Sequence, residues 1–437
     1  MDTNTALLSF IASSPSAFHT VKTVIDSLTA NGYTELTESA DWTLVPEGKY
    51  FVTRNLSSVI AFRIPAKGKP HGFMIAVAHS DSPAFKIKEQ AESETAGGYT
   101  RINVEKYGGM LCSTWLDRPL SAAGRVTLFE NGKIVSRLVN LDRDLFLIPT
   151  VAIHMNRNAN DGASYNPASD MQPIMGSTSV KGSYRRLLAE ACGADEESIL
   201  SSDMFLYPRC PGTVWGAEGE FLSAPRLDDL QCVFGALKGF LASSESKSIP
   251  VLCVCDNEEV GSSTKQGADS TFLHDTLLRI TEALGGGSSD YRRVLASSFM
   301  VSADNAHAVH PNHPEYADPN HRPLINGGIV IKHNANQRYT TDSVSAAVFT
   351  AICRQANVPI QHFTNRADMA GGSTLGNISN TQVSLNTVDI GLPQLSMHSC
   401  YETAGAKDTD YLIQAMKAFF SSSLHMDADG VYRVDVI

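Results

Sequence analysis

The chain of 437 residues is 43% apolar and 19% charged, with a net charge of −11. Such a mixture can bury a sizeable core, which excludes a disordered, collagen-like or coiled-coil chain. The negative balance repels phosphate backbones and anionic lipid heads, so nucleic acid and membrane surfaces are disfavoured as partners. No run approaches the ~20 apolar residues that span a bilayer. The start, Met1-Asp2-Thr3-Asn4-Thr5, lacks the basic region of a secretory signal, so a cytoplasmic location is expected.

In chain order, Phe18, Val21, Val24, Ile25 and Leu28 share one face at helical spacing, and Asn31-Gly32 supplies a stop. The apolar run Phe73-Met74-Ile75-Ala76-Val77-Ala78 has strand length and reads as a strand covered on both faces, ending in His79-Ser80-Asp81. Between about residues 90 and 220 the texture becomes β-rich. Two alternating runs flank Asn131-Gly132, a strong hairpin signal, and a long polar loop covers Asn156 to Asp170. An α/β pattern then resumes, with an amphipathic helix beginning just after Asp228. Strands follow at Ile249 to Cys255 and Ser298 to Ser302, and a last helix follows Lys407. Cys253 and Cys255 alternate with Val254, which suits buried reduced thiols. The stretch Gly285-Gly286-Gly287-Ser288-Ser289 reads as a surface loop.

Three of the expected strands end in His79, Glu258-Glu259 and Asp304. In open α/β sheets, ligand sites lie outside the carboxyl ends of strands. Imidazole and carboxylate are donors that zinc accepts, and cobalt and manganese share them. With Asp228 at a helix start and His398 in a turn before the last helix, the set exceeds what one tetrahedral ion takes. It suits two ions sharing a bridging carboxylate, with a further carboxylate left to handle protons. Each residue also has a plain alternative: Asp228-Asp229 suits a helix N-cap, Asp304 a turn, and Lys332 a solvent-facing strand position. The histidines His307, His310, His313 and His321 match no zinc-finger spacing and read as loop surface. Gly371-Gly372-Ser373-Thr374-Leu375-Gly376 matches neither a dinucleotide nor a Walker motif.

These residues resemble the aspartyl aminopeptidase/aminopeptidase I family of co-catalytic zinc metallopeptidases. The resembling stretches are Ala78-His79-Ser80-Asp81-Ser82-Pro83, Pro225-Arg226-Leu227-Asp228-Asp229, Asp256-Asn257-Glu258-Glu259-Val260-Gly261 and Ser302-Ala303-Asp304-Asn305-Ala306-His307. Ile331-Lys332, Asn336-Gln337-Arg338-Tyr339 and Met397-His398-Ser399 complete the set, in the family's order. The resemblance implies an α/β fold: a mixed-sheet zinc-peptidase domain over residues 1–88 and 221–437, interrupted at 89–220 by an inserted β-rich dimerisation domain. It implies two Zn2+ per subunit, one held by His79, Asp228 and Asp304, the other by Asp228, Glu259 and His398. Asp81 is implied to orient His79, and Glu258 to be the general base. His307, Lys332 and Tyr339 are implied to contact a peptide substrate, and His154 to reach a neighbouring subunit's site; this replaces the loop-surface reading for His307 alone. The implied reaction is removal of an acidic N-terminal residue, and the implied assembly is dimers built into a tetrahedral dodecamer. A di-zinc carboxypeptidase or deacylase, and a non-catalytic assembly protein on the same fold, remain the alternatives.

Overall fold

The structure is a computed structural model that describes residues 2–66 and 70–435. Its centre is a nine-stranded mixed sheet. The inner strands Ile249–Cys255, Phe73–His79, Phe299–Ala303 and Asn386–Gly391 lie side by side and parallel. They are continuous apolar runs because both faces are covered. Met74, Ala76, Ala78, Leu252 and Val254 join the core on one face, while Phe73, Ile75, Val77, Val251 and Cys253 join the core on the other. That is the period-two alternation of a strand with a buried environment on each side. Parallel strands bring their carboxyl ends to one edge, so His79, the segment after Cys255 and Asp304 emerge together.

The helices Leu227–Ala242 and Asp408–Phe420 pack on the first face. Their contact is close because of two glycines. A Cβ on Gly235 would lie 2.5 Å from Leu412 Cδ2, and one on Gly239 would lie 2.5 Å from Met416 Cβ and 2.8 Å from the Lys417 backbone nitrogen. Phe272–Ala283, Ser288–Ala296 and Leu375–Gln382 cover the second face. The N-terminal helix expected around Phe18–Leu28 spans Ala17–Ala30.

A separate six-stranded antiparallel sheet runs through Lys133–Asn140, Leu120–Glu130, Ile199–Pro208, Ala84–Glu94, Tyr99–Tyr107 and Ile174–Ser177. It has its own core, including Phe85, Trp115, Leu128 and Met204. The expected hairpin is present, with Glu130 paired to Lys133 and both Asn131 and Gly132 at positive φ, the conformation a two-residue hairpin turn demands. A five-stranded sheet of Thr213–Trp215, Phe221–Ala224, Glu402–Gly405, Pro393–Leu395 and Ala306–His307 lies at the edge where the parallel strands end.

One plain alternative falls away and one local expectation is corrected. The backbone at Asp228 and Asp229 is non-helical, so regular helix begins at Leu230 and the aspartates do not serve as cap and first turn. Ser288 and Ser289 open a helix, so the Gly285 loop ends at Gly287, whose N–H bonds to Asp290. All eight cysteines are free, and Cys253 and Cys255 lie buried in one strand. Among the described residues no helix is long and apolar enough to cross a membrane.

Candidate metal centre

His79 is the last residue of its strand and is almost wholly buried. Its Nδ1 faces two acceptors of Asp81, the carbonyl oxygen at 3.1 Å and Oδ1 at 3.4 Å. With acceptors on that side, Nδ1 carries the proton and Nε2 presents its lone pair. Nε2 points at Asp228 Oδ1, 3.5 Å away, and Asp304 Oδ1, 4.0 Å away. His398 repeats the arrangement from the opposite side. Its Nδ1 lies 3.0 Å from the Gly109 carbonyl oxygen, and its Nε2 faces Asp228 Oδ2 at 3.7 Å and Glu259 Oε2 at 3.5 Å. One carboxylate, Asp228, thus stands between two histidines, each oxygen turned to a different ring.

These separations are too long for hydrogen bonds. They suit two ligands of one ion, because donors at 2.0–2.1 Å from a tetrahedral centre lie roughly 3.3 Å apart. Asp228 Oδ1 and Glu259 Oε1 are buried and have no hydrogen-bond partner, a costly state that a cation would relieve. Donor atoms of His79, Asp228, Asp229 and Asp304 lie within 4.8 Å of one another, as do those of Asp228, Glu259 and His398. The residues therefore fit a metal centre.

The backbone holds the donors in place. Asp81 accepts from the Tyr107 hydroxyl at 2.6 Å and from the N–H groups of Glu258 and Glu259, each at 3.2 Å. Buried Glu402 accepts from the N–H groups of Asp228 at 3.0 Å and His398 at 2.7 Å. Asp229 accepts from the His79 N–H at 3.1 Å. Tyr107, Glu402 and Asp229 escaped the sequence reading. For Asp229 its place beside Asp228 was a signal, as was the position of Glu402 four residues after His398; Tyr107 had none.

Burial, joined by Asp228, pushes Glu259 well above the carboxylate range. Burial raises Asp304 too, with Lys332 pulling the other way. For Glu258 burial comes first; His79 pulls downward, Asp304, Asp81 and Asp228 push upward, and the carboxyl is raised to about 8. Crowded carboxylates of this kind are typical of metal and catalytic centres.

The centre opens into a cleft of about 200 Å3 lined by Glu258, His307, Lys332, Tyr339, Phe363, the Gly372–Thr374 turn and Met397. Lys332 is 3% exposed, so the solvent-facing alternative is excluded. Its Nζ lies 3.6 Å from Asp304 Oδ2 and 5.5 Å from the centre of the Tyr339 ring. Burial opposes the ammonium, but Asp304, then Tyr339 and Asp389, more than offset it and its pKa is raised. His307 lines the cleft with its side chain exposed; partial desolvation there and the nearby Lys332 charge push its imidazole down. His310 and His313 are exposed, as expected of loop histidines, and His321 is half-buried. His154 is not among the cleft residues; it sits exposed in the loop with Val151, Ile153 and Met155. A larger cavity of about 390 Å3 lies behind Asp81 and Asp228. It contains no histidine, so the metal chemistry belongs to the smaller cleft.

The family described as "Aminopeptidase I zinc metalloprotease (M18)" matches residues 10–420. This chain belongs to that family. It is 45% identical over 423 residues to "Probable M18 family aminopeptidase 2" of Clostridium novyi (strain NT), covering 95% of this chain and 98% of that protein. The protein of the same description from Stutzerimonas stutzeri (strain A1501) is 39% identical over 429 residues, covering 96% and 98%. Among solved structures, "Cryo-EM structure of the Ape4 and Nbr1 complex" is similar at a TM-score of 0.92 and 37% identity, over 96% of this chain and 85% of that one. "Structure of S. cerevesiae mApe1 dodecamer" is similar at 0.84 and 28%, over 96% of each chain. The M18 fold, α/β with mixed sheets, is thereby established for this chain, as is its activity as a zinc-family metallo-aminopeptidase.

Proposed function

We propose that this M18 aminopeptidase holds two zinc ions and removes an acidic N-terminal residue from peptides. One observation carries the reading: the two oxygens of Asp228 face the Nε2 atoms of two histidines whose Nδ1 protons are already engaged. Asp228 would be shared by the two ions, with His79 and Asp304 also holding one and Glu259 and His398 the other. When bound, zinc polarises a carbonyl and brings the pKa of water to ~7. Glu258, beside the donors and on the cleft wall, takes the proton of the attacking water at a carboxylate oxygen and delivers it to the leaving amine. Asp81 orients His79. Lys332 supplies the local cation that an acidic side chain needs against a net charge of −11. His307 and Tyr339 bound the same cleft.

We also infer the two-part organisation, with residues 89–220, joined by the opening of the strand Ala84–Glu94, as the dimerising insert and dimers gathered into a tetrahedral dodecamer. The neighbour described as a dodecamer supports this. So does the loop around His154, where Met155 is 83% exposed and Val151 and Ile153 stand out beside it. Through that loop His154 reaches the cleft of a second copy.

The deciding experiment compares wild type and Glu258→Gln on free and N-acetylated peptides, with zinc content measured on the same samples. Glu258→Gln is expected to keep its zinc and lose about 100-fold or more in kcat, the usual size of a general-base contribution. Acetylated peptides are expected to be inert. A Glu258→Gln enzyme as fast as wild type removes the base assignment, and cleavage of acetylated peptides removes recognition of a free amine.

A further inference from the structure

The glycine-rich stretch from Gly371 to Gly376 carries no nucleotide motif, yet Gly372, Ser373 and Thr374 form part of the cleft wall. Asp389 holds them there. This residue lies in the strand Asn386–Gly391, beside the strand that leads to Asp304, and it is fully buried. Its Oδ1 accepts from the Thr374 hydroxyl at 2.5 Å. Its Oδ2 accepts from both the N–H and the hydroxyl of Thr340, each at 2.6 Å. The Asp389 N–H in turn donates to Thr341 Oγ1 at 2.9 Å.

One buried carboxylate therefore ties two loops to the central sheet. The first begins at Tyr339, whose ring faces the Lys332 ammonium, and the second is the glycine-rich turn. Gly376 makes the close approach possible. A Cβ there would lie 2.6 and 2.7 Å from the two carboxylate oxygens and 2.7 Å from Thr340 Oγ1. Burying a carboxylate is expensive unless charge-assisted donors surround it, and here three donors from two segments do so. A neutral side chain could link the same loops without that cost. What the charge adds is a field at Lys332, where Asp389 acts alongside Asp304.

We propose that Asp389 is a positioning residue for specificity: through Thr340 and Thr374 it sets Tyr339 and the glycine-rich turn around Lys332, where an acidic N-terminal side chain is gripped. This rests on the acidic-pocket reading given above and deepens it. Asp389 is not a cleft residue, so it acts through the loops it holds and through its field at Lys332.

The test uses zinc-loaded wild type, Asp389→Asn, Thr340→Val, Thr374→Val and Lys332→Ala, assayed with Asp-, Glu- and Leu-terminated chromogenic substrates. Metal content and oligomer size are measured on the same samples. For Asp389→Asn, KM for the acidic substrates is expected to rise about tenfold while kcat on the Leu substrate stays within about twofold. The threonine variants are expected to reproduce part of that split, and they decide the matter if Asp389→Asn does not fold. Equal losses on all substrates, or loss of metal, would mean a merely structural role and overturn the proposal, as would an unchanged acidic-to-neutral ratio. If Lys332→Ala alone lowers the ratio, the positioning role falls and the pocket reading survives. If the Asp389 series lowers it and Lys332→Ala does not, the cation assignment fails and the positioning role stands. A wild type without acidic preference ends both.

Discussion

At the scale of single residues, the placement of protons decides what each histidine can do. His79 and His398 turn Nδ1 toward carbonyl oxygens and Nε2 toward carboxylates, whereas His19 turns Nδ1 toward a hydroxyl. Its Nδ1 lies 2.8 Å from Ser16 Oγ, and burial, with Arg226 nearby, pushes it down to about 4. The unfolded chain binds this proton near pH 6.5, so between about pH 6.5 and 4 the unfolded state holds more protons than the native one. Stability contributed at this site is full above pH 6.5 and is lost as pH falls toward 4. The loss is at most about 3 kcal/mol. Urea unfolding of wild type and His19→Gln at pH 7.5 and 4.5 checks this: the variant is expected to show a smaller acid-induced loss. Parallel losses in both proteins would remove His19 as the cause.

At the scale of elements, the helix pair Leu227–Ala242 and Asp408–Phe420 matters because the first carries Asp228 on its irregular opening turn. Their approach depends on Gly235 and Gly239, and at Gly239 the nearest atoms include backbone of the opposing helix, which cannot swing aside. Gly239→Ala would normally favour a helix by about 1 kcal/mol. Here overpacking against Met416 and Lys417 is expected to outweigh that and cost about 1–3 kcal/mol net. Thermal unfolding of the variant reads the sign directly, and a more stable Gly239→Ala protein would show that the pair has room to separate. The parallel strands act differently. Three of the four inner ones lead into chemistry-bearing residues, His79, Glu258-Glu259 and Asp304, at the carboxyl edge where a buried strand meets space.

At the scale of the whole molecule, a concentration of buried carboxylates is a liability that bound cations offset. Burial, with neighbouring carboxylates adding to it, raises Asp229, Glu259 and Asp304; at Asp228 burial also pushes upward, but His79, His398 and Lys332 outweigh it and pull the carboxyl down. A ligand that binds only the folded state stabilises it by about 4 kcal/mol at 1,000 times its Kd. Chelation is therefore expected to lower the thermal midpoint, and added zinc to restore it. Scanning calorimetry with and without chelator measures the shift; an unchanged midpoint in metal-free protein would mean that the carboxylates are balanced by the chain itself.

How much of this was legible beforehand depended on the range of the interaction. The apolar runs at Phe73 and Ile249, the Asn131-Gly132 turn and the helix before Asn31-Gly32 were readable because local patterning and turn chemistry act between near neighbours. The donors His79, Asp228, Glu259, Asp304 and His398 could be picked out as chemistry at element ends, and their shared motif order identified the family. Tyr107 and Asp389 could not. A buried tyrosine or carboxylate is defined by the partners it meets across the fold, and Tyr107 meets Asp81 only once the six-stranded sheet is laid against the peptidase sheet. Asp229, read as part of a helix start, has non-helical backbone and its carboxylate accepts from the His79 N–H, a partner 150 residues away. The amino-acid order by itself determined which segments become strands and helices, and which residue types could bind a cation. Only the tertiary structure decided which side chains hold those residues in register, since hydrogen bonds between separate segments leave no periodic trace along the chain.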